Sequence, residues 1–172
     1  MDDDPCVLKL SDLVEQHYTL LYRYAFRLCG SATDAEDLTQ QTFLTAQRKL
    51  GQLRKPAHAK AWLCAIVRNT YLKNLRSRNG TAVVSLEFVA EPIAEDPPGE
   101  PALNPQELQT ILNELPEEFR TPLILFYFEE FSYKEIAEQM GVAIGTVMSR
   151  LLRAKSYLRG RLVSRQPAMT PR

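Results

Sequence analysis

Residues 132–153 read SYKEIAEQMGVAIGTVMSRLLR, and this stretch decides the fold of the second half of the chain. Ser132–Glu135 has the pattern of a capping box, in which two side chains satisfy backbone amides at the start of a helix. Gly141 then allows a short turn, and a second helix is predicted to begin near Ile144. The residues predicted to face inward are Ile136, Ala137, Met140, Val147, Leu151, Ala154 and Leu158. This pattern predicts a helix-turn-helix, whose second helix enters the major groove of DNA.

The outward side of that second helix carries hydrogen-bonding groups and cations, which contacts with base edges and phosphates require. The predicted DNA-contacting residues are Thr146, Ser149, Arg150, Arg153 and Lys155. Arg150 and Arg153 are three residues apart, so both are predicted to project from one side, with no acid nearby to compete for them. Any pair of helices in a bundle could show this pattern of Ala, Gly and Val. The absence of acidic residues from 139 to 172 favours DNA binding.

Charge is unevenly distributed along the 172 residues, although 21 Lys and Arg balance 21 Asp and Glu. Basic residues are in excess in 1–80 and 139–172, whereas acidic residues are in excess in 81–105 and 106–138. Such asymmetry is typical of a protein that contacts a polyanion in some places and avoids it in others. A merely solvated basic tail stays open as an alternative at this point.

Several other classes of protein are disfavoured. No apolar run approaches the length of a membrane span and the acidic start lacks the basic region of a signal peptide, so we expect a cytoplasmic protein without membrane insertion. Cys6, Cys29 and Cys64 are far apart and are predicted to be reduced packing residues. We predict no metal site and no cofactor. The sequence also lacks a Gly-rich phosphate loop and a nucleophile motif, so an enzyme is not predicted.

The whole chain has helical periodicity, so the predicted fold class is all-α, with two small helical domains. Residues 1–80 form the first predicted domain and residues 105–163 the second, followed by a tail at 164–172. Residues 81–104 contain four prolines among scattered acids. Because proline lacks the amide that helix interiors need, this segment is predicted to be a flexible linker that lets the domains sit apart on one partner.

Three helices are predicted in the first domain. Ser11 is predicted to cap the first helix, and Thr33 to cap the second through a capping box with Glu36. Gly51 is predicted to end the second helix. The third helix is predicted to turn one face inward, formed by Trp62, Ala65, Ile66, Asn69 and Leu72.

Three separate groups of motifs give the chain a specific resemblance to a known family. The run Asp34–Leu44 resembles region 2.2 of the extracytoplasmic-function (ECF) sigma factors of bacterial RNA polymerase. Ala61–Leu63, followed by Ile66–Thr70, is similar to their regions 2.3 and 2.4. The segments that resemble region 4 are Leu115–Arg120, Phe131–Ala137 and Gly145–Leu151. The motifs stand in the order of the family, and the resemblance covers residues 10–78 and 103–162.

This resemblance implies a sigma factor, which binds core RNA polymerase and directs promoter-specific transcription initiation without catalysis of its own. In the family, the region 2.2 helix docks on the polymerase, and the matching residues are Asp34, Glu36, Asp37, Gln40, Gln41 and Phe43. The loop and helix that follow open the minus-ten element and hold a flipped base, and the matching residues are Arg68, Asn69, Lys73, Arg76 and Arg78. In the family, region 4 reads the minus-35 element as duplex DNA. The resemblance assigns this contact to the five outward residues of the final helix.

The partners that the resemblance implies are core RNA polymerase, promoter DNA and, as a further candidate, an anti-sigma factor. Gln41 stands where the family usually has Glu. Met148 stands where Lys or Arg is frequent, so the promoter sequence that is read is predicted to differ from the usual one. A stand-alone helix-turn-helix repressor or activator is the alternative. It explains Ser132–Arg153 but leaves the first-half motifs unexplained, and it predicts a dimer.

Overall fold

The computed structural model describes residues 8–79 and 104–165, and every regular element in these ranges is a helix. The all-α prediction is therefore confirmed. The chain divides into two compact units, with the boundary between residues 83 and 84. The predicted linker 81–104 lies outside the described residues except for Asn104, and so does most of the predicted tail.

In unit 1, residues 8–79 form a bundle of three helices. The helices are α1 (Leu10–Cys29), α2 (Ala32–Lys49) and α3 (Ala59–Asn79), with two short 3-10 turns at Leu50–Gln52 and Pro56–His58 between the last two. Each helix packs against the other two. The core contains large apolar side chains from all three, among them Leu13, Leu21, Tyr24, Leu28, Leu38, Leu63 and Val67. This burial of apolar surface is what holds the bundle together.

The start of α2 differs from its prediction. Gly30 ends α1 in the left-handed conformation, with φ 73°, and Ser31 then follows with extended backbone. The Oγ of Ser31 accepts a hydrogen bond from the backbone N–H of Asp34, at 3.4 Å. The prediction that Thr33 caps this helix is wrong, because Thr33 already lies in the first helical turn. A cap must have non-helical backbone, and Ser31 is the residue that has it.

Two other helix ends in unit 1 also differ. The cap of α1 is Lys9, whose backbone N–H donates to the Asp12 carboxylate at 3.3 Å, so Ser11 lies inside the helix and does not cap it. Gly51 does not end α2 directly. The C-cap is Leu50, and Gly51 belongs to the 3-10 turn that follows. The chain tightens there instead of stopping at a left-handed glycine.

The buried face of α3 is rotated relative to its prediction. Ile66 is buried as predicted, but Asn69 is exposed, and Trp62, Ala65 and Leu72 are only half-buried. The residues of α3 that are buried are Ala59, Leu63, Cys64, Ile66, Val67 and Tyr71. Cys64 is thus a packing residue, as predicted, whereas Cys29 is half-buried and Cys6 lies outside the described residues.

The described part of unit 2, residues 104–165, contains four helices. They are α4 (Pro105–Glu114), α5 (Glu117–Tyr127), α6 (Tyr133–Met140) and α7 (Ile144–Arg165). The side chain of Asn104 caps α4 by accepting from the amide of Gln106 at 3.1 Å. Helix α7 packs against both α5 and α6. The core of unit 2 contains Ile111, Leu112, Leu115, Phe119, Leu123, Ile124, Leu125, Ile136, Val147 and Ala154.

The helix-turn-helix is present as predicted. The Oγ of Ser132 accepts from the Glu135 amide at 3.2 Å, and the Ser132 amide donates to the Glu135 carboxylate at 2.8 Å, which completes the capping box. Gly141 ends α6 in the left-handed conformation with φ 64°, which glycine adopts without steric cost. Ala137 and Val147 are buried where α6 meets α7. The turn between the helices is therefore specified by local sequence.

Helix α7 is also held against α4. The Glu114 carboxylate accepts hydrogen bonds from Arg161 Nη2 at 2.6 Å and Nε at 2.8 Å, and from the Tyr157 hydroxyl at 2.9 Å. The two bonds from the guanidinium make this a bidentate pair, which is more specific in geometry than a single contact. These contacts join α4 to the second half of α7.

Candidate nucleic-acid and protein interfaces

The outward side of α7 is a mixed polar and apolar surface. Val147, Leu151 and Ala154 are buried against unit 2, so the opposite side of the helix faces water. Ser149 and Arg153 are exposed on that side, as predicted, whereas Thr146 and Lys155 are half-buried at its edges. Two apolar residues that were not predicted share this surface: Met148 is 52% exposed and Leu152 is 68% exposed.

Arg150 is less accessible than Arg153 on this side of α7. Its Nη2 lies 3.4 Å from a carboxylate oxygen of Glu118 on α5, and its side chain is only 21% exposed. The expectation that no acid competes for Arg150 is therefore wrong. Glu118 is 32 residues away in sequence, so no local pattern could reveal the pair. Arg150 connects α7 to α5, and Arg153 remains exposed.

The exposed face of α2 is polar and partly acidic. Glu36, Asp37, Gln40 and Gln41 are exposed, and Asp34 is half-buried. They were all predicted as polymerase contacts. The remaining predicted residue is placed differently, because Phe43 is buried and points into the bundle.

Of the two neighbouring apolar residues Phe43 and Leu44, the first is buried and the second is exposed. The ring of Phe43 stacks on that of Tyr18 in α1, with ring centroids 6.3 Å apart. Leu44 is 53% exposed and lies one turn from Gln40 and Gln41. An exposed leucine beside amides and acids offers a partner protein apolar surface that binding can remove from water. Sequence reasoning missed it, although its i+7 spacing from Asp37 was a usable signal.

The five residues of α3 that were predicted to contact the minus-ten element lie on different sides of the helix. Asn69, Lys73 and Arg76 are exposed, and their spacing of four and three residues places them on one face. Arg68 is half-buried. Arg78 turns towards α2, where its guanidinium bonds to the Asp34 carboxylate at 3.0 Å.

This Arg78–Asp34 pair joins a predicted DNA contact to a predicted polymerase contact. The hydrogen bond from Arg78, followed by its positive charge, holds the pKa of the Asp34 carboxyl below its ordinary value. Close to it, the Asn74 amide donates to Gln41 at 3.2 Å, which is a second tie between α2 and α3. Both contacts are exposed, so they orient side chains more than they stabilise the fold.

A groove of about 390 Å³ lies between α2 and α3. Its lining residues are Gln41, Leu44, Thr45, Arg48, Lys49, Ile66, Asn69, Thr70, Lys73 and Asn74. The lining thus combines three cations with amide and hydroxyl groups and contains no acid. The arrangement suits a negatively charged strand whose bases offer hydrogen-bond donors and acceptors. Arg48 and Lys49 were not predicted, because α2 delivers them to the groove from outside the recognised motif.

Among residues 8–79 and 104–165, no group of three His, Cys, Asp or Glu side chains is arranged to hold a metal ion. In the same ranges, no helix combines the length and apolar character that crossing a membrane requires.

Comparison with known proteins identifies these two units. The family model for sigma-70 region 2 matches residues 13–81, and that for sigma-70 region 4 matches residues 105–158. The two units are therefore the two conserved parts of a sigma-70-type factor.

Curated relatives narrow the class. The ECF RNA polymerase sigma factor SigE of Mycolicibacterium smegmatis is 37% identical over 162 residues, which cover 91% of this chain and 63% of that protein, less than two thirds of its length. EcfG of Rhodopseudomonas palustris is 33% identical over 138 residues, covering 80% and 76% of the two chains. SigL of Mycobacterium tuberculosis is 34% identical over 152 residues, covering 86% and 85%. The chain belongs to the ECF RNA polymerase sigma factors.

Solved structures agree with this assignment. The sigma factor RpoE from Bartonella quintana, solved in complex with the anti-sigma factor NepR, matches with a TM-score of 0.72 and 30% identity, covering 91% of this chain and 98% of that one. CnrH, solved in complex with the cytosolic domain of CnrY, matches with a TM-score of 0.65 and 21% identity over 91% and 89% of the chains, and shows the shared fold. The chain therefore has both conserved regions of a sigma factor of RNA polymerase.

Proposed function

We propose that three surfaces of this sigma factor divide the work: the exposed face of α2 binds core polymerase, the groove between α2 and α3 holds the opened minus-ten strand, and the outward side of α7 reads the minus-35 duplex. The first two surfaces adjoin, and Gln41 and Leu44 form their common edge. The observation that carries the proposal is the contrast within unit 1. The face of α2 presents acids and amides, whereas the adjoining groove presents three cations and no acid. A polyanion is attracted to the second surface and not to the first.

The polymerase-binding face consists of Glu36, Asp37, Gln40, Gln41 and Leu44. Its members are exposed and share one side of α2, and the buried Phe43 supports them from beneath. Burial of Leu44 provides the apolar contact, and the surrounding acids and amides provide specificity through paired charges and hydrogen bonds. Asp34 belongs to the edge of this face, because Arg78 already occupies its carboxylate.

The polymerase-binding face can be tested by reversing its charge. Replacing Asp37 and Gln41 together by Arg is expected to weaken association with core polymerase about ten-fold or more. The matched control makes the same changes at Glu15 and Gln16, which are exposed on α1. Normal competition for core polymerase by the α2 double variant, with helix content retained, would remove this face from the proposal.

The minus-ten strand is proposed to lie in the groove between α2 and α3. Lys73 and Arg48 would neutralise phosphates, and Asn69 would offer its amide to an unstacked base. Arg76 extends the same face of α3, and Arg68 and Arg78 lie to its sides. The bonds that Asn74 and Arg78 make to α2 fix one wall of the groove in position.

Charge reversal also tests the groove. Arg48→Glu with Lys73→Glu is expected to reduce binding of the holoenzyme to a single-stranded minus-ten oligonucleotide, and to leave association with core polymerase unchanged. Arg23→Glu, an exposed cation on α1, is the control for net charge. If all three substitutions lower oligonucleotide binding equally per charge, the groove has no special role and only net charge matters.

The minus-35 duplex is proposed to meet Ser149 and Arg153 on the outward side of α7, with Thr146 and Lys155 at the edges. Arg150 would position the helix through Glu118. The recognition helix of a helix-turn-helix lies in the major groove, where such side chains reach base edges and phosphates. In this scheme the chain contributes binding only, and the nucleotide chemistry belongs to the polymerase.

Partners and location complete the proposal. The related RpoE from Bartonella quintana is solved with an anti-sigma factor, and we extend that class of partner to this chain. Such a partner would compete with core polymerase in the cytoplasm, where polymerase and promoter DNA are found. Reconstituted transcription with core polymerase tests the whole scheme. Promoter-specific transcripts are expected only when the chain is added, and failure to associate with core polymerase would contradict it.

A further inference from the structure

Two large apolar side chains on α7 are exposed. Met148 is 52% exposed and Leu152 is 68% exposed, and both lie beside Ser149 and Arg153 on the side away from the core. Unit 2 leaves at least half of each side chain in contact with water. Their apolar surface becomes favourable only when a partner removes it from water.

The surroundings of Met148 and Leu152 identify the partner as duplex DNA. Arg153 is exposed next to Leu152, and the sequence from 139 to 172 contains no acid, so the surface attracts a polyanion. The surface also belongs to the region 4 match, which covers residues 105–158. In the major groove, the apolar feature of the base edges is the C5-methyl group of thymine, which A·T pairs present and G·C pairs lack.

The local geometry allows close approach of the base edges. Met148 and Leu152 are four residues apart, about 6 Å along the helix. This is just under two base-pair steps of about 3.4 Å each, so the two side chains can reach base pairs one or two steps apart. Gly145 precedes Met148 by one turn, and a Cβ placed there would meet nothing within 4 Å, so the fold itself does not require glycine. A glycine at the start of the recognition helix leaves room for a base edge to come near the backbone.

We propose that Met148 and Leu152 read thymine methyl groups in the minus-35 element, a specificity that rests on the promoter-reading function proposed above. Ser149 and Arg153, which lie between and beside them, supply the polar contacts. The upstream element that this sigma factor prefers therefore contains at least one thymine whose methyl group, and not only its pairing, is recognised.

The experiment uses holoenzyme made from the full chain and core polymerase. A randomised upstream element is first selected for binding, and each thymine in the selected sequence is then replaced singly by deoxyuridine, which removes the methyl group and keeps base pairing. Binding is measured for the wild-type chain, Met148→Ala, Leu152→Ala and Met148→Leu. Ile144→Ala is the matched control, because Ile144 is an apolar residue of α7 with similar exposure, 47%, but lies three residues from the buried Val147, towards the core side.

Deoxyuridine at one or two positions is expected to weaken binding by the wild-type holoenzyme about four-fold, the effect of losing one buried methyl group. The effect should disappear in Met148→Ala or Leu152→Ala, and it should persist in Met148→Leu and Ile144→Ala. If no thymine responds to loss of its methyl group, or if both alanine variants respond to that loss as strongly as the wild-type chain does, the inference is overturned. In that case promoter-dependent initiation by the wild-type holoenzyme would still support the proposed function, whereas its absence would count against the function itself.

Discussion

Replacing Arg150 and Arg153 separately by alanine is expected to affect different properties of the protein. Arg153 is exposed on the outward side of α7, so it is available to neutralise a phosphate. Arg150 is paired with Glu118 at 3.4 Å and is largely covered. Arg153→Ala should therefore change the salt dependence of promoter binding, and Arg150→Ala should change the stability of unit 2.

The size of each effect follows from the surroundings of each side chain. Loss of one phosphate contact lowers the slope of log K against log salt by about 0.9, so Arg153→Ala should lose about 3.5-fold more affinity at 50 mM than at 200 mM salt. For Arg150, the partners' side chains are 21% and 38% exposed, which places the pair at the upper end of partly exposed ion pairs, about 1 kcal/mol. In a domain of this size, that free energy lowers the melting temperature by about 4–8 °C.

The assays are holoenzyme binding to a minus-35 duplex over a range of salt and thermal unfolding followed by circular dichroism. Glu118→Gln completes a double-mutant cycle with Arg150→Ala, and the two losses of stability should not add, because each variant removes the same pair. These separate roles are refuted if Arg150→Ala lowers the salt slope as much as Arg153→Ala does and leaves the melting temperature unchanged. Arg150 would then be a phosphate contact, and the pair with Glu118 would be incidental.

Three other substitutions test the structure of the two units. Phe43→Ala should destabilise unit 1 by about 3–5 kcal/mol in a denaturant titration, whereas Leu44→Ala should leave stability unchanged and weaken binding to core polymerase; the reverse outcome would exchange their roles. Gly141→Ala should cost about 1 kcal/mol in the same titration, because φ is 64° there, and an unchanged midpoint would contradict the left-handed turn. Asp34→Asn should lower the melting temperature at neutral pH, because the hydrogen bond from Arg78 depresses the pKa of Asp34 in the folded protein. This stabilisation is lost as the pH falls below the ordinary value of 3.8 and through the lowered pKa, so the melting temperatures of variant and wild type should converge in acid; a difference between them that does not shrink on acidification would argue against this pair.

Local sequence predicted the helices and the helix-turn-helix well, but it predicted some helix ends poorly. The Ser132 capping box and the Gly141 turn are confirmed because both depend on residues within one turn of each other. The prediction that Thr33 caps α2 was wrong, because the capping position depends on where α1 ends. Gly30 ends α1 and leaves Ser31 as the residue with extended backbone. Competing capping residues that are two positions apart cannot be ranked by type alone.

Within the candidate surfaces, exposure could be predicted where helical periodicity was clear. The polar face of α2 is such a case, and Glu36, Asp37, Gln40 and Gln41 are all exposed. The rotation of α3 could not be predicted. Apolar residues occur on more than one side of it, so the choice between Asn69 and Tyr71 as a core residue depends on how α1 and α2 pack against it.

By itself, the sequence determined that this protein is helical, that it has the two conserved regions of a sigma factor, and that its final helix belongs to a helix-turn-helix. The helices and the helix-turn-helix follow from caps, turns and periodicity, which act over a few neighbouring residues. The two sigma regions were inferred from the resemblance of their motifs to the family. The tertiary structure alone decided that Arg150 is engaged by Glu118 and that Arg48 joins Lys73 in one groove. Each of these depends on side chains from different helices meeting in space, and helix packing, not spacing along the chain, sets which of them meet.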